Sequence, residues 1–419
     1  LKAHAISPDD PDTLVCLTNV ASQLGRHAEA LEYWEAHQKK HGFDKHGASN
    51  AAFALLHMGR WAEAWDLYRG SLGSDDRRIL NYHEDRETPR WRPDKHEDAT
   101  VVLYGEQAIG DEIMFASMIP AAVRAAEEKS TRIIVECLER NAGLFERSFA
   151  PLGVAVYGTR GKASREWAEA EGVTHKLEFG GLGEFFGREP FRCNRFLEAD
   201  PIRRAMWRVF LDQTPRRISS VDAWKDGFGP LVSKRPRVGI AWTGGSWATG
   251  RHRRSIPFHL VAGLLQTFSN EVDFVNLEYE DRREDLEMVR AHVLNPHWAT
   301  RKGADYDDTA AIVANLDLVI APTTSVVDLA GALGVECWAL ADEHPQWRYS
   351  DAAGHDRMFF YESVRVFRQP TWGDWAPTMR AVGEELRHWI DDNRQLDEHV
   401  AASAPHRPDE PDSNGALVQ

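Results

Sequence analysis

Two segments of the chain repeat one pattern of apolar, small and polar positions. Leu24-Gly25-Arg26-His27-Ala28-Glu29-Ala30-Leu31-Glu32-Tyr33-Trp34 aligns with Met58-Gly59-Arg60-Trp61-Ala62-Glu63-Ala64-Trp65-Asp66-Leu67-Tyr68. Ala30 and Ala64 stand 34 positions apart, the period of a helix–turn–helix repeat. The pattern predicts a turn at Gly25 and at Gly59, close helix packing at Ala30 and Ala64, and aromatic filling of the next gap by Trp34 and Tyr68. Leu1 to Pro8 reads as the end of an earlier repeat, so the chain is expected to begin inside a longer array. So few repeats bury little on their own and are expected to dock on the next domain.

From Asp98 onward the pattern changes to short branched apolar runs separated by helical periods. Strands are predicted at Ala99–Leu103, Ile133–Cys137 and Val154–Tyr157, with a helix over Asp111–Glu127. Residues 158–230 are less regular, and Gly180, Gly181, Gly183 and Gly187 mark loops there. Further strands are predicted at Val238–Trp242, Phe274–Leu277, Leu316–Ile320 and Cys337–Ala341. Strands alternating with helices make doubly wound parallel sheets. The reading is therefore α/β, with two Rossmann-like domains preceded by an all-α repeat segment. Its boundaries are repeats over 1–80, a first Rossmann-like domain over 98–230 and a second over 236–375. A closing helix over 376–395 and a disordered tail over 399–419 complete it.

Two such domains in tandem form a cleft at the carboxyl ends of their strands, and three loops are candidates for it. After Leu316–Ile320, Pro322 is expected to stop the strand. Thr323, Thr324 and Ser325 then place hydroxyls at a helix start, and Asp328 falls in its first turn. Free N–H groups and the helix dipole make such a corner an anion site. The second loop, Thr243-Gly244-Gly245 to Pro257, carries Arg251, His252, Arg253 and Arg254; guanidinium forks fit phosphate oxygens. The third, Gly105 to Asp111, places Gly110 and Asp111 at a helix start. There Asp111 either caps the helix or takes a proton from an acceptor hydroxyl. Gly105-Glu106-Gln107 lacks the dinucleotide-binding glycine spacing, which argues against a nicotinamide enzyme. Glu278, at the end of Phe274–Leu277, is a candidate acceptor for ribose or base. Asp305, Asp307 and Asp308 read as helix-capping residues and not as a metal site.

Composition narrows the partners. A formal net charge of −15 argues against general nucleic-acid binding yet leaves room for a local basic pocket. The four cysteines are far apart, make no zinc spacing and read as reduced thiols of a cytoplasmic protein. No apolar run reaches the roughly 18 residues of a membrane span, and no signal peptide is read before Leu1.

Residues from about Thr100 to Ile390 resemble glycosyltransferase family 9, the ADP-heptose:lipopolysaccharide heptosyltransferases, and its relatives with tetratricopeptide repeats. The likeness rests on Gly110-Asp111-Glu112-Ile113, Val238–Gly245, Arg254-Ser255-Ile256-Pro257, Asp308-Thr309-Ala310, Asn315–Ile320, Leu329–Gly334 and Trp347-Arg348-Tyr349, in that order. It implies a glycosyltransferase-B fold and a metal-independent inverting transfer from a nucleotide sugar, without a cofactor. It places the base at Asp111 and the donor among Gly110, Trp242, Gly244, Gly245, Arg253, Arg254, Ser255, Glu278, Thr323, Thr324, Ser325 and Asp328. The repeats would recruit a protein or glycan acceptor, an architecture similar to protein O-GlcNAc transferase. The chain departs from the family where Asp-Thr-Gly and a later His are usual: here stand Thr323, Thr324, Ser325 and Asp328, leaving the donor's identity open. Two rival readings share the plan. One is a non-catalytic repeat scaffold with a relic transferase fold; the other is an epimerase that needs no acceptor.

Overall fold

The computed structural model describes residues 7–74, 77, 88–162, 166–189, 193–213, 235–245, 250–349 and 356–403. The chain opens with two helical hairpins, α1 (Pro11–Gln23) with α2 (His27–His41), and α3 (Lys45–His57) with α4 (Trp61–Gly70). Gly25 and Gly59 make equivalent turns at φ +71° and +73°, a backbone shape that suits glycine. Ala30 and Ala64 are fully buried, and Trp34 and Tyr68 nearly so, as the repeat pattern predicts. The proposed remnant of an earlier repeat falls mostly on residues 1–6, outside the described residues.

The first α/β domain holds β1 (Thr100–Tyr104), β2 (Arg132–Glu136), β3 (Ala155–Tyr157) and β4 (His175–Glu178), all parallel, in the order β3-β2-β1-β4. Its longer helices are α5 (Ile109–Ala116), α6 (Ile119–Glu127) and α7 (Glu139–Phe149). The single helix expected over Asp111–Glu127 is two helices. Pro120 lies in the first turn of α6, where its missing N–H is harmless, whereas inside one long helix it would remove a bond. Strand β4 and helix α8 (Pro201–Gln213) lie in the stretch that reads as irregular.

The second domain holds β5 (Arg237–Ile240), β6 (Asp273–Asn276), β7 (Val293–Leu294), β8 (Leu318–Pro322), β9 (Cys337–Ala341) and β10 (Val364–Arg368), parallel, in the order β10-β9-β8-β5-β6-β7. This is the doubly wound order, and the direction of winding reverses between β5 and β8, where ligands settle in such sheets. Helices α9 (Phe258–Phe268), α10 (Tyr306–Val313), α11 (Ser325–Leu333) and α12 (Ala376–Ser403) complete the set of eight residues or more. Strand β8 stops at Pro322, as expected, with the proline as its last residue. Pairing of β8 with β5 stops at Ile320, while Thr323 N–H donates to the Leu340 carbonyl on the β9 side, so no ladder bond is missing at the proline. Helix α12 runs through 399–403, where disorder is expected from composition; good helix formers continue to Ser403, and the next proline is Pro405. The rest of that tail lies outside the described residues.

One continuous core joins the hairpins, the first domain and one face of the second sheet. Trp61 meets Trp347 (5.9 Å between ring centres) and Phe359 (4.8 Å) of the second domain. Trp65 meets Phe115 (6.3 Å) and donates its indole N–H to the Gly187 carbonyl (2.6 Å) in the first. Arg77 is fully buried between Glu106 and Glu178, with its guanidinium 3.9 Å from the centre of the Tyr68 ring. Among the described residues no helix is long and apolar enough to cross a membrane.

Candidate active site between the two sheets

Helix α5 leaves the carboxyl end of β1, and α11 leaves the carboxyl end of β8. Their first turns touch. A Cβ on Gly110 would fall 2.6 Å from Asp328 Oδ2 and 3.3 Å from Ser325 Cα, so the contact requires glycine. Asp111 is the third residue of α5, and its Oδ2 accepts from the Ala108 N–H at 3.1 Å. The capping role is therefore real, and it leaves Oδ1 for another partner. That partner is Arg348, in the loop after β9, which donates to Asp111 Oδ1 and, at 2.8 Å, to Gln346 Oε1. Glu112 is buried and anchors the helix by accepting from Arg160 (2.6 Å), Asn141 (2.8 Å) and the Leu138 N–H (3.2 Å).

Asp328 is 1% exposed, and its Oδ1 has no hydrogen-bond partner among the described residues. Burial pushes its carboxyl up to about 7, against the pull of the Arg348 cation and with a further push from Asp111. One guanidinium thus faces two carboxylates from opposite domains. Arg348 itself is held firmly charged by these neighbours in spite of burial.

The hydroxyl corner is built differently from its sequence reading. Thr324 occupies the cap position of α11 without a side-chain bond to the helix, and its hydroxyl donates to the Pro322 carbonyl at 3.1 Å. Ser325 Oγ accepts from the Tyr306 hydroxyl at 2.9 Å. Thr323 is buried, and its carbonyl accepts from Arg254 Nη1 at 2.5 Å. Arg254 and Thr323 thereby join the β5 and β8 ends at the point where the winding reverses. The fit is tight there: a Cβ on Gly244 would meet the Arg254 backbone carbonyl carbon at 2.6 Å and Ser255 N at 2.8 Å, and Gly244 N–H donates to Ser255 Oγ at 3.0 Å. The Gly245 carbonyl accepts from the Tyr279 hydroxyl at 2.6 Å.

Three expected ligand contacts are engaged within the protein. Arg251 forms a two-bond pair with Glu280, 2.6 Å each. Trp242 is a core residue, packed on Phe258 at 5.1 Å with its indole N–H on Asp285 (3.2 Å). Glu278 Oε1 accepts the N–H groups of Trp242 (2.5 Å) and Thr243 (2.6 Å), bracing the loop after β5, while its buried Oε2 has no hydrogen-bond partner among the described residues. Arg253 Nε stands 3.8 Å from Asp342. Ser246 to Thr249 lie outside the described residues. The capping reading of the acidic trio holds for Asp305, which accepts from the Asp307 N–H at 3.0 Å. Asp307 instead takes two bonds of 2.9 Å from Arg147 of the first domain, and Asp308 accepts from Trp207 at 3.3 Å.

Arg348 is the member of this cluster that loop-by-loop reasoning does not select; it enters the sequence reading only within the Trp347-Arg348-Tyr349 motif. Its signal is an arginine set between two aromatics, Trp347 and Tyr349.

No family model matches the chain. It is 31% identical over 355 residues to protein FlbA of Caulobacter vibrioides, a match that covers 80% of this chain and 54% of that protein. Among solved structures it is similar to a glycosyl transferase family 9 protein from Veillonella parvula (12% identity, TM-score 0.45, 69% of this chain and 92% of the other). It is also similar to E. coli ADP-heptose lps heptosyltransferase II (13%, TM-score 0.43, 70% and 99%) and, at TM-score 0.26, to a Thermobaculum terrenum O-GlcNAc transferase mutant (12%, 93% and 88%). The chain spans about half the length of its curated relative FlbA.

Proposed function

We propose that the chain is a glycosyltransferase of the B-type two-domain plan, moving a sugar from a nucleotide-sugar donor to an acceptor hydroxyl. The observation that carries this reading is the meeting of Asp111, at the carboxyl end of β1, with Arg348 and the α11 N-terminus, at the carboxyl end of β8. Asp111 takes the proton of the acceptor hydroxyl. The oxygen attacks the anomeric carbon, the bond to the diphosphate oxygen breaks, and its electron pair leaves with the nucleoside diphosphate. Arg254, Ser255 and the first turn of α11 line the side on which that charge develops, and fixed cations and N–H groups there stabilise it. Arg348 yields Asp111 in this step. The hairpins hold a protein or glycan acceptor.

Calorimetry with ADP, GDP, UDP and CDP tests the donor side, and Asp111→Asn tests the chemistry. The expected result is binding of one diphosphate by both proteins, with transfer lost in the variant by about 100-fold or more. Equal turnover in the variant removes Asp111 from the mechanism.

The contact of Gly110 with Ser325 covers the first turn of α11 and favours a second reading, a scaffold that has kept the fold without the chemistry. A folded chain that binds none of the four diphosphates would establish it.

A further inference from the structure

A cavity of about 180 Å³ opens where the first hairpin meets the second sheet. Val20 and Leu24 of the hairpin wall it on one side, and Trp372, Asp342, Arg253 and His344 of the second domain on the other. The walls are held in register by the α1–α2 turn, since a Cβ on Gly25 would lie 2.7 Å from His344 Nδ1. Val20, Leu24 and Trp372 are large apolar side chains left about half exposed. Asp342, just past β9, is 4% exposed; its Oδ1 has no hydrogen-bond partner among the described residues, and its Oδ2 stands 3.8 Å from Arg253 Nε. A buried acceptor left unpaired is a standing penalty that an incoming donor relieves.

The charges select the class of donor. The cations Arg253, Arg254 and Arg368 all act on Asp342, so an ammonium group would meet like charges, while Asp342 and the neighbouring Glu343 offset those cations for an anion. What fits is a neutral, compact molecule with an apolar face for Trp372 and Leu24 and a hydroxyl edge for Asp342 and Arg253. The volume falls below the roughly 300 Å³ at which drug-sized pockets begin, which sets the size at about one ring.

We propose that this cavity binds one neutral sugar ring, stacked on Trp372 with a hydroxyl donating to the Asp342 carboxylate. It would be a sugar-binding site at the hairpin junction, made jointly by the repeats and the second domain. The proposal rests on the sugar-transfer reading for its purpose and on the cavity for its geometry.

The test uses the full chain, with saturation-transfer NMR and calorimetry against the methyl glycosides of glucose, galactose, mannose and N-acetylglucosamine. At least one is expected to bind in the millimolar range. Asp342→Asn and Trp372→Ala should each weaken it about tenfold or more. Leu24→Trp, which fills the cavity from the exposed hairpin side, should abolish it with the melting temperature unchanged. The proposal is overturned if no glycoside binds, if binding survives all three changes, or if methylammonium displaces the sugar. Calorimetry with the four nucleoside diphosphates on the same samples separates the two readings. Diphosphate binding without glycoside binding sinks this site alone, and glycoside binding without diphosphate binding sinks the transfer reading alone.

Discussion

Arg348 and Asp111 form an ion pair that ties the loop after β9 to the first turn of α5, so the second domain grips the first at the proposed base. Asp328 faces the same cation. Arg348→Met leaves two carboxylates opposed without a counter-charge. Removing one partner of a buried pair costs about 3–5 kcal/mol, and urea denaturation should show a loss of that order. Arg348→Met/Asp328→Asn should recover part of it, by more than Asp328→Asn gains in the parent; an equal gain in both backgrounds would show that Asp328 and Arg348 are not coupled.

Asp328 makes stability depend on pH. Its carboxyl is raised from an ordinary 3.8 to about 7 by burial, so the fold favours the protonated form. Its contribution is full below about pH 4 and declines as pH rises through about 7. Asp328→Asn keeps the shape and removes the decline. The variant should match the parent near pH 4 and exceed it at about pH 8 by on the order of a few kcal/mol. Thermal melts at the two pH values measure this, and a gap that does not widen with pH would exclude the mechanism.

Gly110→Ala puts a methyl group against Asp328 and the Ser325 backbone. Forcing one carbon into so close a contact costs about 1–3 kcal/mol and pushes α5 from α11. We expect a lower melting temperature, and an increased Asp111–Arg348 separation in a crystal structure of the variant. A variant as stable as the parent would mean the helices part easily.

His57 gives the hairpins the opposite pH response. It stacks on His27 at 4.2 Å, and burial with the neighbouring His27 lowers it from 6.5 to about 3. The fold favours neutral imidazole, so stability is full above pH 6.5 and is lost as pH falls towards about 3. His57→Gln should reduce the acid sensitivity in that window by on the order of 1 kcal/mol, since the ring is only part-buried. Far-UV circular dichroism during an acid titration follows it; identical curves would exclude His57 as the source.

Much of this arrangement is legible from residue pattern. The hairpin turns follow from Gly25 and Gly59, and six central strands from runs such as Val101–Leu103 and Leu318–Ile320, because fully buried parallel strands read as unbroken apolar segments. Strands β4, β7 and β10 are not legible in this way. His175-Lys176-Leu177-Glu178 and Val364-Arg365-Val366-Phe367-Arg368 mix charge with apolar residues at sheet edges, and β7 spans only Val293–Leu294. At the site, Asp111 and Arg254 are both marked by their loops. The pairing of Asp111 with Arg348 is not, since it joins positions 237 residues apart, and nothing local encodes a contact at that range. Trp242 misleads for a related reason: at the end of a predicted strand leading into the glycine loop it reads as cleft-facing, until Phe258 and Asp285 pack against it.

Trp61 and Trp65 sit one helical turn apart on α4, and between them they touch both α/β domains. The hairpin is therefore a brace between the two α/β domains and not a free appendage. Any rocking of one sheet against the other has to shear this aromatic cluster or carry it along.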